Sequence, residues 1–299
     1  MIDVLSRAEI TAFLPERAEM AHKGTFGHLV VVAGSRGFAG AVKLVCTAAY
    51  RSGAGLVTAA VPETVQPVVA GALVEAMTLG LPATEADSLA YRALEQLESF
   101  AATKSAMVIG PGLSTHPATA RLVRRLYKGR VLPMVVDADG LNALAAYPER
   151  LEPRASTLSR AEAVFTPHPG EMSRLTGIAV PAIQQERSEI AAYYAALWQV
   201  TVVLKGHGTI IASPDGRARR CPTGNQGMAS GGTGDVLAGL IGGLLAQGMP
   251  PFEAACAGVY VHGLAGDRAA REKTPRALIA SDILEALPHA WRQVERTGS

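Results

Sequence analysis

The sequence predicts an α/β fold in one domain over residues 1–299: a mainly parallel central sheet with helices packed on it. Three observations predict it. Short apolar runs without strict polar alternation recur along the chain and are separated by helical patterns, as in sheets covered on both faces. The spacing of these runs leaves room for right-handed crossover helices. Glycine, proline, aspartate and histidine collect directly after the runs, at the carboxyl edge, where open α/β sheets bind ligands. With 299 residues, 48% of them hydrophobic, the chain can enclose a large core, and no linker rich in Pro, Gly and Ser divides it.

A short N-terminal helix is expected first. HLVVVAG (28–34) reads as a buried strand and AVKLVCTAAYRSGAG (41–55) as a helix ending at glycine. LVTAAVP (56–62) and AMVIGPG (106–112) are further strands. The most basic stretch, RLVRRLYKGR (121–130), reads as the solvated face of a helix followed by a turn. PMVVDADG (133–140) and AVFTPHPG (163–170) are strands again, the latter leading into a short helix at MSRLTG. TVVLKGHGTIIASPDG (201–216) reads as two strands around a tight glycine turn, and helices follow over 235–247, 251–270 and 281–296.

Composition excludes several classes. A net charge of +2 and the absence of a second basic cluster argue against a nucleic-acid surface. Cys46, Cys221 and Cys256 form no CxxC pair, which favours buried thiols in a reducing compartment over a disulfide framework or a zinc site. The N-terminus lacks a signal-type apolar core, and VLAGLIGGLLAQGM (236–249) is too short and glycine-rich to span a bilayer. A soluble, cytoplasmic protein without membrane partners is expected.

The glycine loops carry the chemistry. GSRGFAG (34–40) follows a strand and precedes a helix, but its spacing fits neither standard nucleotide fingerprint; it is either a tight turn or a wall of a ligand site. GPGL (110–113) places Gly112 at the carboxyl edge. KGHGT (205–209) suits a loop whose backbone and lysine meet phosphate, or a plain hairpin turn. In TPHPGE (166–171), prolines hold His168 at the strand edge, and Glu171 falls in the first turn of a helix, where acids are favoured in any case. In VVDADGLNAL (135–144), Asp139 reads as a helix cap, and Asp137, at the strand end, as the better candidate for contact with substrate or magnesium-bound water.

GGTGDVLAG (231–239) is the most demanding stretch. Backbone N–H groups of a glycine loop form an anion-binding concavity, and a helix N-terminus adds roughly half a positive charge. Gly232, Thr233 and Gly234 are therefore expected at a polyphosphate. Asp235 would repel phosphate there unless it accepts a proton from a substrate hydroxyl attacking the terminal phosphate. A capping role, worth about 1 kcal/mol, explains the acid but not the glycines.

GGTGDVLAG resembles the anion-hole and base motif of the ribokinase-like fold. With HKGTFGHLVVVAGS (22–35), GPGL, VVDADGLNAL, TPHPGE and LKGHGT in order, residues 15–270 resemble the ADP- or ATP-dependent NAD(P)H-hydrate dehydratases. The resemblance implies a ribokinase-like three-layer α/β/α sandwich and a nicotinamide-repair activity: the hydroxyl of the S-epimer of hydrated NADH or NADPH is phosphorylated by ADP or ATP, and the phosphate ester is then eliminated. It implies Asp235 as base, Lys205, Gly206, His207, Gly208, Thr209 and Gly234 on the nucleotide, and Ala41, Gly112 and His168 on the hydrate; Asp137, Asn142 and Asp235 are expected on the hydrate as well. It also implies Mg²⁺, with Glu171 touching it through water, and a homotetramer. Kinases of this fold often carry Asn-x-x-Glu near magnesium; here the stretch is His168-Pro-Gly-Glu171. Many family members carry an N-terminal epimerase domain, for which this sequence leaves no room, so any epimerase is expected to be a separate protein. The competing readings are a vitamin or sugar kinase of the same fold and a non-catalytic nucleotide sensor.

Overall fold

The computed structural model describes residues 2–17, 19–146, 151 and 162–295. The parallel strands are β2 (His28–Val32), β3 (Leu56–Pro62), β4 (Met77–Leu81), β5 (Ala106–Ile109), β6 (Met134–Val136), β7 (Ala163–Phe165) and β8 (Thr201–Leu204). Two antiparallel strands, β9 (Ile210–Ala212) and β10 (Ala218–Arg220), extend the sheet, and β1 (Asp3–Val4) closes that edge in parallel with β10. The order across the sheet is β1-β10-β9-β8-β7-β6-β5-β2-β3-β4.

The apolar runs do not alternate because each strand feeds two cores. In β2, Leu29 and Val31 point to one face and Val30 and Val32 to the other; Val108 and Ile109 of β5 divide the same way. The first face is covered by α1 (Arg7–Phe13), α2 (Ala39–Arg51), α3 (Gln66–Ala72), α10 (Thr233–Ala246), α11 (Pro251–Lys273) and α12 (Ala280–Glu295). The second is covered by α4 (Leu94–Ala101), α5 (Pro117–Lys128), α6 (Asp139–Ala145), α7 (Pro169–Thr176), α8 (Val180–Gln185) and α9 (Arg187–Trp198). These layers make a three-layer α/β/α sandwich, as the sequence predicts.

Local chemistry explains where the elements start and stop. Helix α2 begins two residues before the expected start and stops at Arg51, with Ser52 capping and Gly53 at φ +102°. Helix α10 starts at Thr233, two residues earlier than expected, because Gly232 at φ +90° forms its N-cap. Helix α11 runs on to Lys273; residue 296, the expected end of α12, lies outside the described residues. On α5 the exposed face is basic as predicted, but Arg130 beyond it is buried, its guanidinium 4.2 Å from the centre of the Tyr127 ring. All three cysteines are free and buried.

Helix α10 packs on α2 through its glycines. A Cβ on Gly239 would collide with the Val45 carbonyl, and one on Gly243 with Ser52 and the Ala49 carbonyl. The HKGTFGH segment lies at the opposite, amino edge of the sheet, where it has a structural task. Residues Lys23–Phe26 form a single 3₁₀ turn capped by His22, and Gly27, at φ +71°, abuts the carbonyl of Ala246 at the end of α10.

Candidate functional site

The site lies where the carboxyl ends of β6, β7 and β8 meet the N-terminus of α10. Asp137 directly follows β6 and is 1% exposed. Lys205 follows β8 and places Nζ 2.8 Å from Asp137 Oδ1 and 3.7 Å from Glu171 Oε2. Burial pushes the Lys205 ammonium down, but Asp137, Glu171 and Asp235 together outweigh it and hold the group above its ordinary range. The lysine that the hairpin reading would leave in solvent is instead enclosed by carboxylates.

Asp235 stands in the first turn of α10. Burial, then the Asp137 and Asp139 carboxylates, push it up against the pull of Lys205, to about 7. A carboxyl titrating near neutrality can take a proton and release it at working pH. A Cβ on Gly234 would stand 3.5 Å from Lys205 Nζ and 3.8 Å from Asp137 Oδ2, so the helix backbone approaches the charge cluster directly. Thr233, mostly buried, donates its hydroxyl to the carbonyls of Met228 and Ser230 and locks the loop before the helix. Gly232 packs against Leu44 and Ala280, which leaves no space for a Cβ.

His168 caps α7: its Nδ1 accepts from the N–H groups of Gly170 and Glu171 at 3.0 and 3.3 Å, while Glu171 Oε2 accepts from the His168 N–H at 2.8 Å. The ring is half-exposed, and burial, more than the neighbouring charges, lowers its basicity. Asp139 does not cap α6 as expected. Ala138, at φ +48°, is the N-cap, and Asp139 Oδ2 accepts from the N–H of Ser114 at 2.9 Å, tying α6 to the loop after β5. Asn142 donates to Asp139 Oδ1 and accepts from Arg174 at 2.9 Å.

Ala41 and Gly112 are neighbours. Gly112 is at φ +62°, and a Cβ there would stand 3.4 Å from the Cβ of Ala41. The two loops are joined by the N–H of Gly34 donating to Pro111 and by Ser35 Oγ donating to the Gly112 carbonyl. Gly37 and Gly40 face open space.

Beside Lys205 and Gly234 a cavity of about 460 Å³ opens. Its walls include Lys205, Gly206, His207, Gly208, Thr209, Thr233 and Gly234, seven residues predicted from sequence. They also include Thr223–Gln226, Met228 and Ala229 and, from α11, Val259, His262 and Gly263, none of which was predicted. A Gly- and Asn-bearing run directly before the glycine loop, and a lone histidine in an apolar helix, were the available signals. Among the described residues no group of three or more His, Cys, Asp or Glu forms a metal cage.

A parallel sheet extended by an antiparallel hairpin, with an acid behind glycines at a helix N-terminus, defines a protein of the ribokinase-like class. A family model described as NAD(P)H-hydrate dehydratase matches residues 29–289, and the chain belongs to that family. It is 48% identical over 292 residues to the bifunctional NAD(P)H-hydrate repair enzyme of Moorella thermoacetica, covering 98% of this chain and 54% of that protein. The ADP-dependent (S)-NAD(P)H-hydrate dehydratase of Bacillus subtilis is 36% identical, with 96% of both chains covered. A structure of the ADP/ATP-dependent NAD(P)H-hydrate dehydratase from Bacillus subtilis, co-crystallised with ATP/Mg²⁺, superposes with a TM-score of 0.82 at 32% identity, covering 98% of this chain and 99% of that one. The chain spans about half the length of the bifunctional relatives it matches. No helix among the described residues is long and apolar enough to cross a membrane.

Proposed function

We propose that the chain dehydrates the S-epimer of hydrated NADH or NADPH, coupled to hydrolysis of ADP to AMP and phosphate, or of ATP. The observation that carries this reading is Asp235, raised to about 7 in the first turn of α10, next to a cavity of about 460 Å³ walled by Lys205, the KGHGT loop and Gly234. The hydroxyl of the hydrate attacks the terminal phosphorus as its proton passes to Asp235, and the nucleotide leaves with the electrons of the broken P–O bond. Loss of phosphate from the resulting ester, with a proton from the adjacent ring carbon, restores the dihydropyridine. Phosphorylation replaces hydroxide, a poor leaving group, by phosphate.

On this reading Lys205, Gly206, His207, Gly208, Thr209, Thr233 and Gly234 hold the nucleotide, with Gly232 setting the helix start. Ala41, Gly112 and His168 face the hydrate, while Asp137 fixes Lys205 and Asn142 braces the α6 side. Lys205 neutralises phosphate charge, and its ion pair with Asp137 keeps it aimed at the mouth of the cavity. The carboxylates around Lys205 suit a Mg²⁺ that keeps its waters and enters on the nucleotide phosphates, rather than one caged by protein. Glu171 would meet its water shell. The ion's chemistry is neutralisation of phosphate charge. Homotetrameric assembly and a cytoplasmic location belong to the same proposal and are read by light scattering and cell fractionation.

The deciding experiment incubates the protein with hydrated NADH and ADP. Recovery of the reduced-nicotinamide absorbance supports the dehydratase. Phosphorylated product without recovery would indicate a kinase, and neither outcome a nucleotide sensor.

A further inference from the structure

Arg187 opens α9 and stands behind the KGHGT loop: Gly206 lines the cavity and Arg187 does not. Its Nη2 donates to the carbonyls of Leu204 and Lys205 at 2.8 and 3.3 Å, and its Nη1 donates to Gln184 Oε1 at 2.8 Å. Gly206 is at φ +142°, and a Cβ there would stand 2.9 Å from Nη1 and 3.1 Å from Nη2. The loop therefore lays its backbone directly on the guanidinium, at a point that only glycine can occupy.

As a stabilising device this arginine is poorly equipped. It is half-buried, burial lowers its basicity, and no neighbouring carboxylate counters that. Its Nε is buried and has no acceptor among the described residues. An aliphatic side chain would cover the same backbone at less cost. What the guanidinium adds is a direction and a charge. Across a trans peptide the N–H points opposite to the carbonyl, so with the Lys205 carbonyl turned back onto Arg187 the Gly206 N–H is turned toward the cavity that Gly206 lines. The N–H groups of Gly206, His207 and Gly208 donate to no acceptor among the described residues, while Thr209 Oγ1 donates to the Gly206 carbonyl at 3.0 Å and closes the loop.

We propose that Arg187 is a positioning residue of the nucleotide site: it holds the peptide between Lys205 and Gly206 with its N–H aimed at a phosphate oxygen of the bound nucleotide, and backs that N–H with a positive charge. The inference rests on the proposed adenine-nucleotide reading of the cavity. The charge of Lys205 is offset by Asp137 and Glu171, whereas that of Arg187 has no carboxylate beside it. A row of free backbone N–H groups attracts an anion, and a cation behind the row strengthens the attraction without touching the ligand.

The test compares the wild type with Arg187→Met and Arg187→Lys by calorimetric titration with ADP and by steady-state dehydration of hydrated NADH. Arg187→Met is expected to weaken ADP binding and raise the KM for ADP about tenfold, the scale of one hydrogen bond to a charged group, and to leave the KM for the hydrate within about twofold. The gap between Arg187→Met and the wild type is expected to narrow as salt rises from about 0.05 to about 0.5 M. Arg187→Lys, which restores the charge without the planar fork, is expected to recover part of the loss. Unaltered ADP affinity in Arg187→Met, a loss that falls on hydrate and ADP alike, or a loss that lysine does not ease overturns the inference and leaves the proposed function standing. A wild type that binds no ADP overturns both. Should Arg187→Met not fold, amide spectra of the wild type decide: the Gly206 N–H resonance is expected to move downfield on adding ADP, and a stationary resonance overturns the assignment.

Discussion

Asp235→Asn separates the chemistry of the site from its stability. In the folded chain Asp235 titrates at about 7 against an ordinary 3.8, a difference equivalent to about 4 kcal/mol. The sign follows from the direction: a raised carboxyl favours the fold when protonated, so that stability is present below about 4 and is lost as pH rises through 7. Above 7 the wild type carries an ionised carboxylate that burial and Asp137 disfavour. Asparagine removes that charge, and water in the cleft screens part of the ceiling, which leaves a gain of about 1–4 kcal/mol. The assay is thermal unfolding of both proteins without ligand from pH 5 to 8, together with turnover of the hydrate. The variant's advantage should grow with pH and reach several degrees at pH 8, at roughly 2–4 °C per kcal/mol, while turnover falls ~10²–10⁴-fold. A variant no more stable than the wild type at pH 8 would refute the electrostatic argument, and one keeping a tenth of the rate would remove Asp235 as the base.

Four further outcomes are expected. Lys205→Met strands the buried Asp137 and should destabilise by about 3–5 kcal/mol in urea, most of it recovered in Lys205→Met/Asp137→Leu; a single variant as stable as the wild type would mean that the pair is not buried as described. Gly234→Val should fold but bind ADP at least about tenfold more weakly, because a branched side chain fills the space before Lys205 and Asp137; unchanged calorimetric affinity would place the phosphates elsewhere. His168→Ala should raise the KM for hydrate several-fold, leave nucleotide affinity near normal and cost about 1 kcal/mol through the lost α7 cap, and a loss of nucleotide binding alone would exchange the two ligand sides. Gly27→Ala should destabilise by more than about 2 kcal/mol without a specific effect on nucleotide affinity, since its site is the Ala246 carbonyl at the far edge; normal stability in chemical denaturation counts against that packing.

The central strands were legible because each carries apolar residues to both faces. Val30 and Val31, adjacent in sequence, belong to opposite cores. The two strands at one end of the sheet were not: β1 has two residues, β10 is Ala-Arg-Arg, and neither shows a period long enough to read. Helices α8 and α9 were missed for a related reason, since α9 mixes buried Ile190 and Trp198 with exposed Tyr193 and has no clean apolar stripe. In the site, spacing placed Asp235, Gly234 and the KGHGT loop at one edge, because loops after parallel strands converge there. What spacing could not show is pairing. The Lys205–Asp137 contact joins positions 68 residues apart, and the Asp139 bond to Ser114 bridges separate loops. His262 was hidden because a helix of small apolar residues gives no hint which of them faces a void.

The glycine contacts between α2 and α10 act as a ruler. Helix α2 carries Ala41 at one end of its span, and α10 carries Gly234 and Asp235. Because Gly239 and Gly243 bring backbone against backbone, the separation of these two ends is set by main-chain atoms, which cannot be shortened or swapped for other rotamers. In the proposed reaction the gap across which a hydroxyl meets a phosphorus is therefore gauged by the scaffold, while the side chains lining the cavity can change to suit another nucleotide without detuning it.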